Sequence, residues 1–187
     1  CIPSKMLIHS ADVAETIKQS SLFGITAKII KIDWNKIVNR ANKFVDGEAR
    51  QIEQGNKHTK NITVYKTTAK FTGHQLLEVG KETITADKIF IAAGTRPSIP
   101  QIKGLDKVRF ITSDEALRLK KQPKDLIIIG GGYIAAELAH FFGSLGTKIT
   151  IVQRGPRLMS NEDEEIAQRF TEIAQQKYTV LLETTTN

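Results

Sequence analysis

Leu126-Ile127-Ile128-Ile129-Gly130-Gly131-Gly132-Tyr133-Ile134-Ala135-Ala136-Glu137 reads as a buried strand, a tight turn and the start of a helix. The junction has the form G-x-G-x-x-A. Gly130 permits a sharp turn, Gly132 lets backbone approach a phosphate, and Ala135 is small enough for close helix–strand contact. Such a turn leaves N–H groups free at a helix N-terminus, where a pyrophosphate can sit. A second apolar strand, Lys148 to Val152, follows at the spacing of a βαβ unit, which gives the motif its structural context.

The end of that second strand bears on the choice of nucleotide. An acidic residue is expected about 20 residues after the first glycine, to hold the ribose 2′-hydroxyl of NAD. Here the strand ends at Gln153, with Arg154 and Arg157 beyond it. A carboxylate would repel a 2′-phosphate, whereas arginine binds one through charge-assisted hydrogen bonds. The chemistry favours NADP(H) over NAD(H). The alternative is that both arginines are solvent-facing loop residues.

Around this unit the expected elements are a helix at 113–119, ended before Pro123, strand 125–129, helix 132–145, strand 148–153, helix 162–176 and strand 178–182. Upstream, Pro3 suits a first helical turn, and Met6, Leu7, Val13, Ala14 and Ile17 recur at helical spacing over about 2–20. Asp33 caps a second helix with the apolar stripe Trp34, Ile37, Val38, Ala41, Phe44, Val45 and Ile52, ended by Gly55. From Asn61 the period becomes two. Ile62, Val64, Thr67, Phe71, Leu76, Val79, Ile84 and Ile89-Phe90-Ile91 read as strands of a meander that ends in a buried strand, with turns at Thr72-Gly73 and Gly80-Lys81. Gly94, Pro97 and Pro100 form a connector, which divides the chain into residues 1–99 and 100–187. The fold class is α/β: a Rossmann-like parallel sheet with a β-meander, in two incomplete nucleotide-binding domains.

The chain has 187 residues, 40% of them hydrophobic, enough for one core or two small ones. The net charge of +7 points to an anionic partner. The basic residues are scattered and only 6% of residues are aromatic, so a phosphate-bearing cofactor is expected rather than nucleic acid. The longest apolar stretch, 126–146, is broken by glycines, Glu137 and His140, so no membrane span is expected. No export signal is visible, which suggests a cytoplasmic protein.

The single cysteine, Cys1, excludes an internal disulfide framework and a thiolate zinc site. Beside a helix N-terminus, with Lys5 one turn away, its thiol would be drawn toward thiolate; a lone cysteine is otherwise an inert small hydrophobe. Glu137 sits one turn into an apolar helix, where a carboxylate is costly unless paired. Glu137 and His140 have a spacing used in carboxylate-bridged metal sites, but no second copy exists and no metal is expected. The order of residues supports no Ser/His/Asp arrangement. Because the chain begins at Cys1 rather than Met, it is read as the interior of a longer protein.

Four segments, in order, resemble the flavin-dependent pyridine nucleotide–disulfide oxidoreductases, the family of dihydrolipoamide dehydrogenase and of glutathione, mycothione and mercuric reductases. Cys1-Ile2-Pro3-Ser4-Lys5 is similar to the second half of the redox-active C-x-x-x-x-C segment. Ile89 to Pro97 is similar to an FAD-contacting strand, with Ala93 where Thr is usual. Thr112 to Leu117 resembles the lead-in helix, and Gly130 to Glu137 the nucleotide turn.

The resemblance implies an enzyme that passes electrons between a nicotinamide nucleotide, FAD and a cysteine pair. Cys1 would be the flavin-proximal thiol. Lys5 and Glu137 would form an ion pair near the flavin, and Tyr133 would gate it. Ala69, Ala92, Ala93 and Gly94 would contact FAD through backbone. Gly130, Gly132, Tyr133, Ile134 and Glu137 would line the nucleotide turn, and Arg154, with Arg157, would hold the 2′-phosphate; Ser160 stands where NADP-dependent relatives carry a further arginine. The partner cysteine, the first FAD-binding βαβ unit and the interface domain with its His–Glu acid–base pair would lie outside these residues. The substrate would be a disulfide or dithiol, small or protein-bound, and the full-length protein a homodimer. Cys-Ile-Pro-Ser-Lys looks most like dihydrolipoamide dehydrogenase, whereas Gln153-Arg154 looks more like the NADPH-dependent glutathione and mycothione reductases. A non-catalytic dinucleotide-binding module, with Cys1 incidental, is the reading from another class. The 187 residues alone would bind nucleotide weakly at most.

Overall fold

The computed structural model describes residues 2–186; Cys1, the expected redox thiol, lies outside the described residues. The chain forms two compact units. One takes in the chain up to Val45 and again from Pro97 onward, and the other is Asp46–Arg96.

In the first unit, helix α1 is Ile2–Gln19 and helix α2 begins at Trp34 and runs to His58. Asp33 caps α2 as its sequence suggests, its Oδ1 accepting from the Lys36 N–H at 3.0 Å. A short helix α3, Ser113–Ala116, opens with a capping box between Thr112 and Glu115. The βαβ pattern is realised in β4 (Asp125–Ile129), α4 (Tyr133–Ser144), β5 (Lys148–Val152), α5 (Glu164–Lys177) and β6 (Thr179–Leu181). The three strands are parallel in the order β4-β5-β6, with Ile127 opposite Thr150 and Ile151 opposite Val180.

The core of this unit is helical on one side of the sheet. Leu7, Ala11 and Ala14 of α1 are buried in the same cluster as Ala139, Phe141 and Phe142 of α4. Small residues at helical spacing let two helices approach closely. The first turns of α2 close the cluster through Trp34, whose ring centroid lies 5.2 Å from Phe141 and 5.3 Å from Phe142. Its indole N–H donates to the Leu119 carbonyl at 2.7 Å. Polar braces flank this packing. Lys18 donates to the Ser144 carbonyl at 2.7 Å, and Asp12 meets His140 at 2.7 Å.

The second unit holds the end of α2 and an antiparallel meander, β1 (Ala69–Gly73), β2 (Leu76–Val79) and β3 (Glu82–Thr85), in the order β1-β2-β3. The Gly80–Lys81 turn is as expected, with Gly80 at φ +66°. The first hairpin turns instead at His74–Gln75, where Gln75 takes the positive φ, 53°.

Several expectations are corrected. Ile62, Val64 and Thr67 form no strand, and Ile89-Phe90-Ile91 is not a buried strand: Phe90 is 89% and Ile91 77% exposed. Apolar alternation specifies a strand only where a partner strand takes up its N–H and C=O groups, and no described strand pairs with either segment. Helix α2 does not stop at Gly55. Its last turn is held by Glu53, which bonds Lys57 at 2.6 Å and Lys66 at 2.7 Å. The hydrogen bonds from these two ammonium groups push the Glu53 carboxyl down to about 2. The apolar stripe of α2 is core only through Ala41, since Phe44 and Ile52 are exposed. Helix α3 ends before Leu119, whose carbonyl bonds Trp34 instead.

The aromatic cluster makes the first unit testable. Trp34→Ala removes the indole from both phenylalanine contacts and leaves the Leu119 carbonyl without its donor. Urea unfolding followed by far-ultraviolet circular dichroism should show a loss of about 3–5 kcal/mol; a loss below about 1 kcal/mol would mean that the cluster does not hold α2 to α4.

Candidate functional site

The three consecutive glycines do different things. Gly130 adopts φ +104° as the chain leaves β4, a conformation that side chains rarely take. A Cβ on Gly132 would meet nothing within 4 Å, so the backbone there faces open space. Gly132 is also the N-cap of α4, and no side chain caps this end. Open space, bare N–H groups and a helix dipole fit the phosphates of a dinucleotide. Gly131 is enclosed: a Cβ there would lie 2.6 Å from Leu158 Cδ2 and 3.1 Å from Gln153 Cδ. Its carbonyl accepts from Met159 N at 2.7 Å, which ties the turn to the loop after β5. The G-x-G pattern gives this residue no role; that the middle position is itself glycine is its one visible signal.

That loop places the residues expected to read the nucleotide. Gln153 is folded back, its Nε2 donating to the Arg157 carbonyl at 3.3 Å. Leu158 is buried and its N–H donates to the buried Thr171 hydroxyl at 3.0 Å. Arg154 is exposed and forms no ion pair with a described residue. Arg157 is engaged elsewhere, with Nη1 2.7 Å from Glu164 Oε1 at the start of α5. Its Nε is buried without a partner. The structure thus separates two arginines that look alike in the sequence.

At the other end of the turn, α4 begins with Tyr133, which is 65% exposed, followed by Ile134 at 45% and the buried Ala135. One turn on, Glu137 Oε1 lies 2.6 Å from Lys5 Nζ of α1. Tyr133, Glu137 and Lys5 are therefore on contiguous surface, because residues four apart share a helix face. The Glu137 side chain is 29% exposed, a half-buried carboxylate rather than the buried one expected. The hydrogen bond from Lys5 holds its carboxyl below the usual range, burial opposing and the Ser4 side chain assisting. Ala69, Ala92, Ala93 and Gly94 belong to the second unit. Ala69 opens β1, and Ala92 to Gly94 are in irregular chain, with Gly94 at φ +68°.

One arrangement was not legible in the sequence. His140 bridges the helices, its Nε2 2.7 Å from Asp12 Oδ1 and its Nδ1 3.3 Å from Ser144 Oγ. Ser144 is buried, so the three form a brace between α1 and α4 rather than an exposed nucleophile. Residues 132 and 128 apart in sequence carry no periodic signal of such pairing.

The lowered Glu137 carboxyl has a definite sign. A depressed folded-state value stabilises above the ordinary carboxylate value of 4.5, and that contribution disappears as pH falls through the lower folded value. Glu137→Gln should be less stable than the parent at pH 7 by about 0.5 kcal/mol or less, since solvent screens the pair. The two should converge as pH falls through the lowered folded-state value. A difference that persists undiminished at pH 2.5 would show that Glu137 acts through packing instead.

Comparison with known proteins follows this geometry. The sequence pattern described as pyridine nucleotide-disulphide oxidoreductase matches residues 1–187. Mycothione reductase of Mycobacterium tuberculosis (strain ATCC 25618 / H37Rv) is 40% identical over 185 residues, covering 95% of this chain and 40% of that protein. Dihydrolipoyl dehydrogenase of Bacillus subtilis (strain 168) is 39% identical over 181 residues, 92% of this chain and 39% of the relative. The solved HOCl-induced flavoprotein disulfide reductase RclA from Escherichia coli superposes with a TM-score of 0.82 at 28% identity, over 99% of this chain and 39% of that one. The chain thus spans about 40% of the length of these two curated relatives. Glycine turn, lead-in helix and Lys5–Glu137 pair occur here together in a chain matched from end to end, and the chain belongs to the pyridine nucleotide-disulphide oxidoreductase family.

Proposed function

We propose that this chain is the central part of a flavin-dependent dithiol–disulfide oxidoreductase, dihydrolipoamide dehydrogenase-like, built on two half-domains at 1–99 and 100–187. The observation that carries the reading is the 2.6 Å Lys5–Glu137 pair. It fixes the helix that follows Cys1 against the helix that leaves the glycine turn, so a thiol-bearing segment and a dinucleotide turn share one framework. A non-catalytic nucleotide module has no need of that link. The reading for an NADPH-dependent mycothione- or glutathione-type reductase rests on Arg154 and on the likeness to mycothione reductase.

In this proposal Cys1 is the flavin-side thiol of a redox pair. Lys5, oriented by Glu137, presents a cation to the flavin edge, and Tyr133 covers the nicotinamide position until nucleotide enters. Ala69, Ala92, Ala93 and Gly94 offer backbone to FAD, and the turn at Gly130, Gly132 and Ile134 takes the pyrophosphate of NAD(P). Bound FAD would supply two-electron chemistry between nicotinamide and disulfide. Arg154, open to solvent, takes the 2′-phosphate of NADP(H) in preference to NAD(H), whereas Arg157 would first have to leave Glu164. The substrate is a disulfide or dithiol, and the full-length protein a cytoplasmic homodimer. Among the described residues no helix is long and apolar enough to cross a membrane.

Full-length protein reduced anaerobically with NADPH should develop a long-wavelength charge-transfer absorbance, and Cys1→Ala should abolish it while retaining flavin. Bound flavin without that band in the unaltered protein overturns the role of Cys1. For the nucleotide, Arg154→Glu should lower kcat/KM for NADPH relative to NADH about tenfold or more, the loss of a charge-assisted contact of about 1.5–3 kcal/mol. An unchanged ratio refutes the 2′-phosphate assignment.

A further inference from the structure

Of the two arginines in the loop after β5, one is held by a carboxylate. Arg157 Nη1 lies 2.7 Å from Glu164 Oε1, while its Nε is buried without a partner. The contact is thus made at one point, short of the bidentate grip that makes arginine–carboxylate pairs strong. The Arg157 side chain is 27% exposed and that of Glu164 77%, so a mostly covered cation is matched by a carboxylate open to solvent. A covered guanidinium needs an anion, but a single-contact pair on the surface is one that a better anion can displace. A phosphate monoester is such an anion, with about −1.5 to −2 charges at pH 7 and more acceptor oxygens than a carboxylate.

The loop fixes where that exchange would occur. Gln153, at the strand end expected to face the ribose 2′ position, donates to the Arg157 carbonyl at 3.3 Å. On the other side, the Leu158 N–H bonds Thr171, and Leu158 packs against Gly131. The backbone around Arg157 is therefore tied to the glycine turn, and only its side chain is left to choose between Glu164 and a ligand. The cap of α5 is Asp163, not Glu164: its Oδ1 accepts from the Glu165 N–H at 3.0 Å and the Ile166 N–H at 3.3 Å. Removing the Glu164 carboxylate leaves that cap in place.

We infer that Glu164 is a specificity-determining residue for the nucleotide: it holds Arg157 away from the 2′-phosphate and so weakens the preference for NADP(H). The inference rests on the proposed function and deepens its nucleotide site. Arg154 alone then supports the preference, which falls short of what the two arginines together would give. Glu164 acts by occupying a cation, through the Arg157 side chain rather than by contact with the nucleotide.

Adenosine 2′,5′-bisphosphate and 5′-AMP differ only in the 2′-phosphate. Calorimetric titration of the full-length enzyme with each reads binding without turnover. At low ionic strength Glu164→Ala should raise the ratio of their affinities about threefold or more in favour of the bisphosphate. The kcat/KM ratio for NADPH over NADH should rise by a similar factor. In an Arg157→Gln background the same substitution should move neither ratio. Glu165→Ala removes an equal charge one residue further along α5 and should move them little. Unchanged ratios in Glu164→Ala overturn the inference. So does a rise that persists without Arg157, or one that Glu165→Ala reproduces, since either is relief of repulsion between anions and not release of Arg157. If Arg157→Gln fails to fold, the comparison with Glu165→Ala decides. Failure of the proposed nucleotide reading looks different. An unaltered enzyme that binds the bisphosphate no tighter than 5′-AMP, with Arg154→Glu changing neither, has no 2′-phosphate site for Glu164 to modulate. Loss of bisphosphate affinity in Arg154→Glu without a gain in Glu164→Ala overturns the role of Glu164 alone.

Discussion

Close packing of α1 on α4 is the constraint on which the rest of the first unit depends. Ala11 and Ala139 are fully enclosed there, and residues of this size let the helices approach until side chains at their margins can meet. Asp12 with His140, Lys18 with the Ser144 carbonyl and Lys5 with Glu137 are such marginal contacts. None is strong alone in solvent. Their value is directional: they fix the rotation of α1 about its axis, and so decide which of its faces meets α4. The Trp34–Phe141–Phe142 cluster supplies the apolar burial that these polar contacts do not.

Legibility in the sequence followed the range of the interaction. The βαβ unit was readable because strand period, glycine turn and helix stripe are local, and each element was placed within a few residues. The positive φ of Gly130 and the open space at Gly132 match the turn geometry expected from backbone chemistry. The caps at Asp33 and Thr112 are equally local. The segments Ile62–Thr67 and Ile89–Ile91 misled because alternation states a capacity for pairing and not the presence of a partner. Gly55 misled for a related reason: glycine weakens a helix without having to end it, and here the helix runs on to His58, with Glu53 bonded to Lys57 and Lys66.

The candidate site divides along the same line. The partner of Glu137 came from a family resemblance and not from spacing, since the two positions are far apart in the chain. The different duties of Arg154 and Arg157 could not be read at all. They are set by Glu164 and by the fold of a loop in which Met159 takes φ +53°. The enclosure of Gly131 likewise depends on Leu158 and Gln153 arriving from the far side of β5.

Under the proposed function, that enclosure limits how nucleotide preference could change. Gln153 leans on Gly131 and Gly155 and holds the Arg157 carbonyl, so an exchange at that position is transmitted to the glycine turn itself. Arg154 projects outward and bears no such connection. If Arg154 reads the nucleotide as proposed, cofactor preference has one permissive position and one constrained neighbour. The outer residue can be exchanged without disturbing the glycine turn, while any exchange of the inner one has to be accommodated by it.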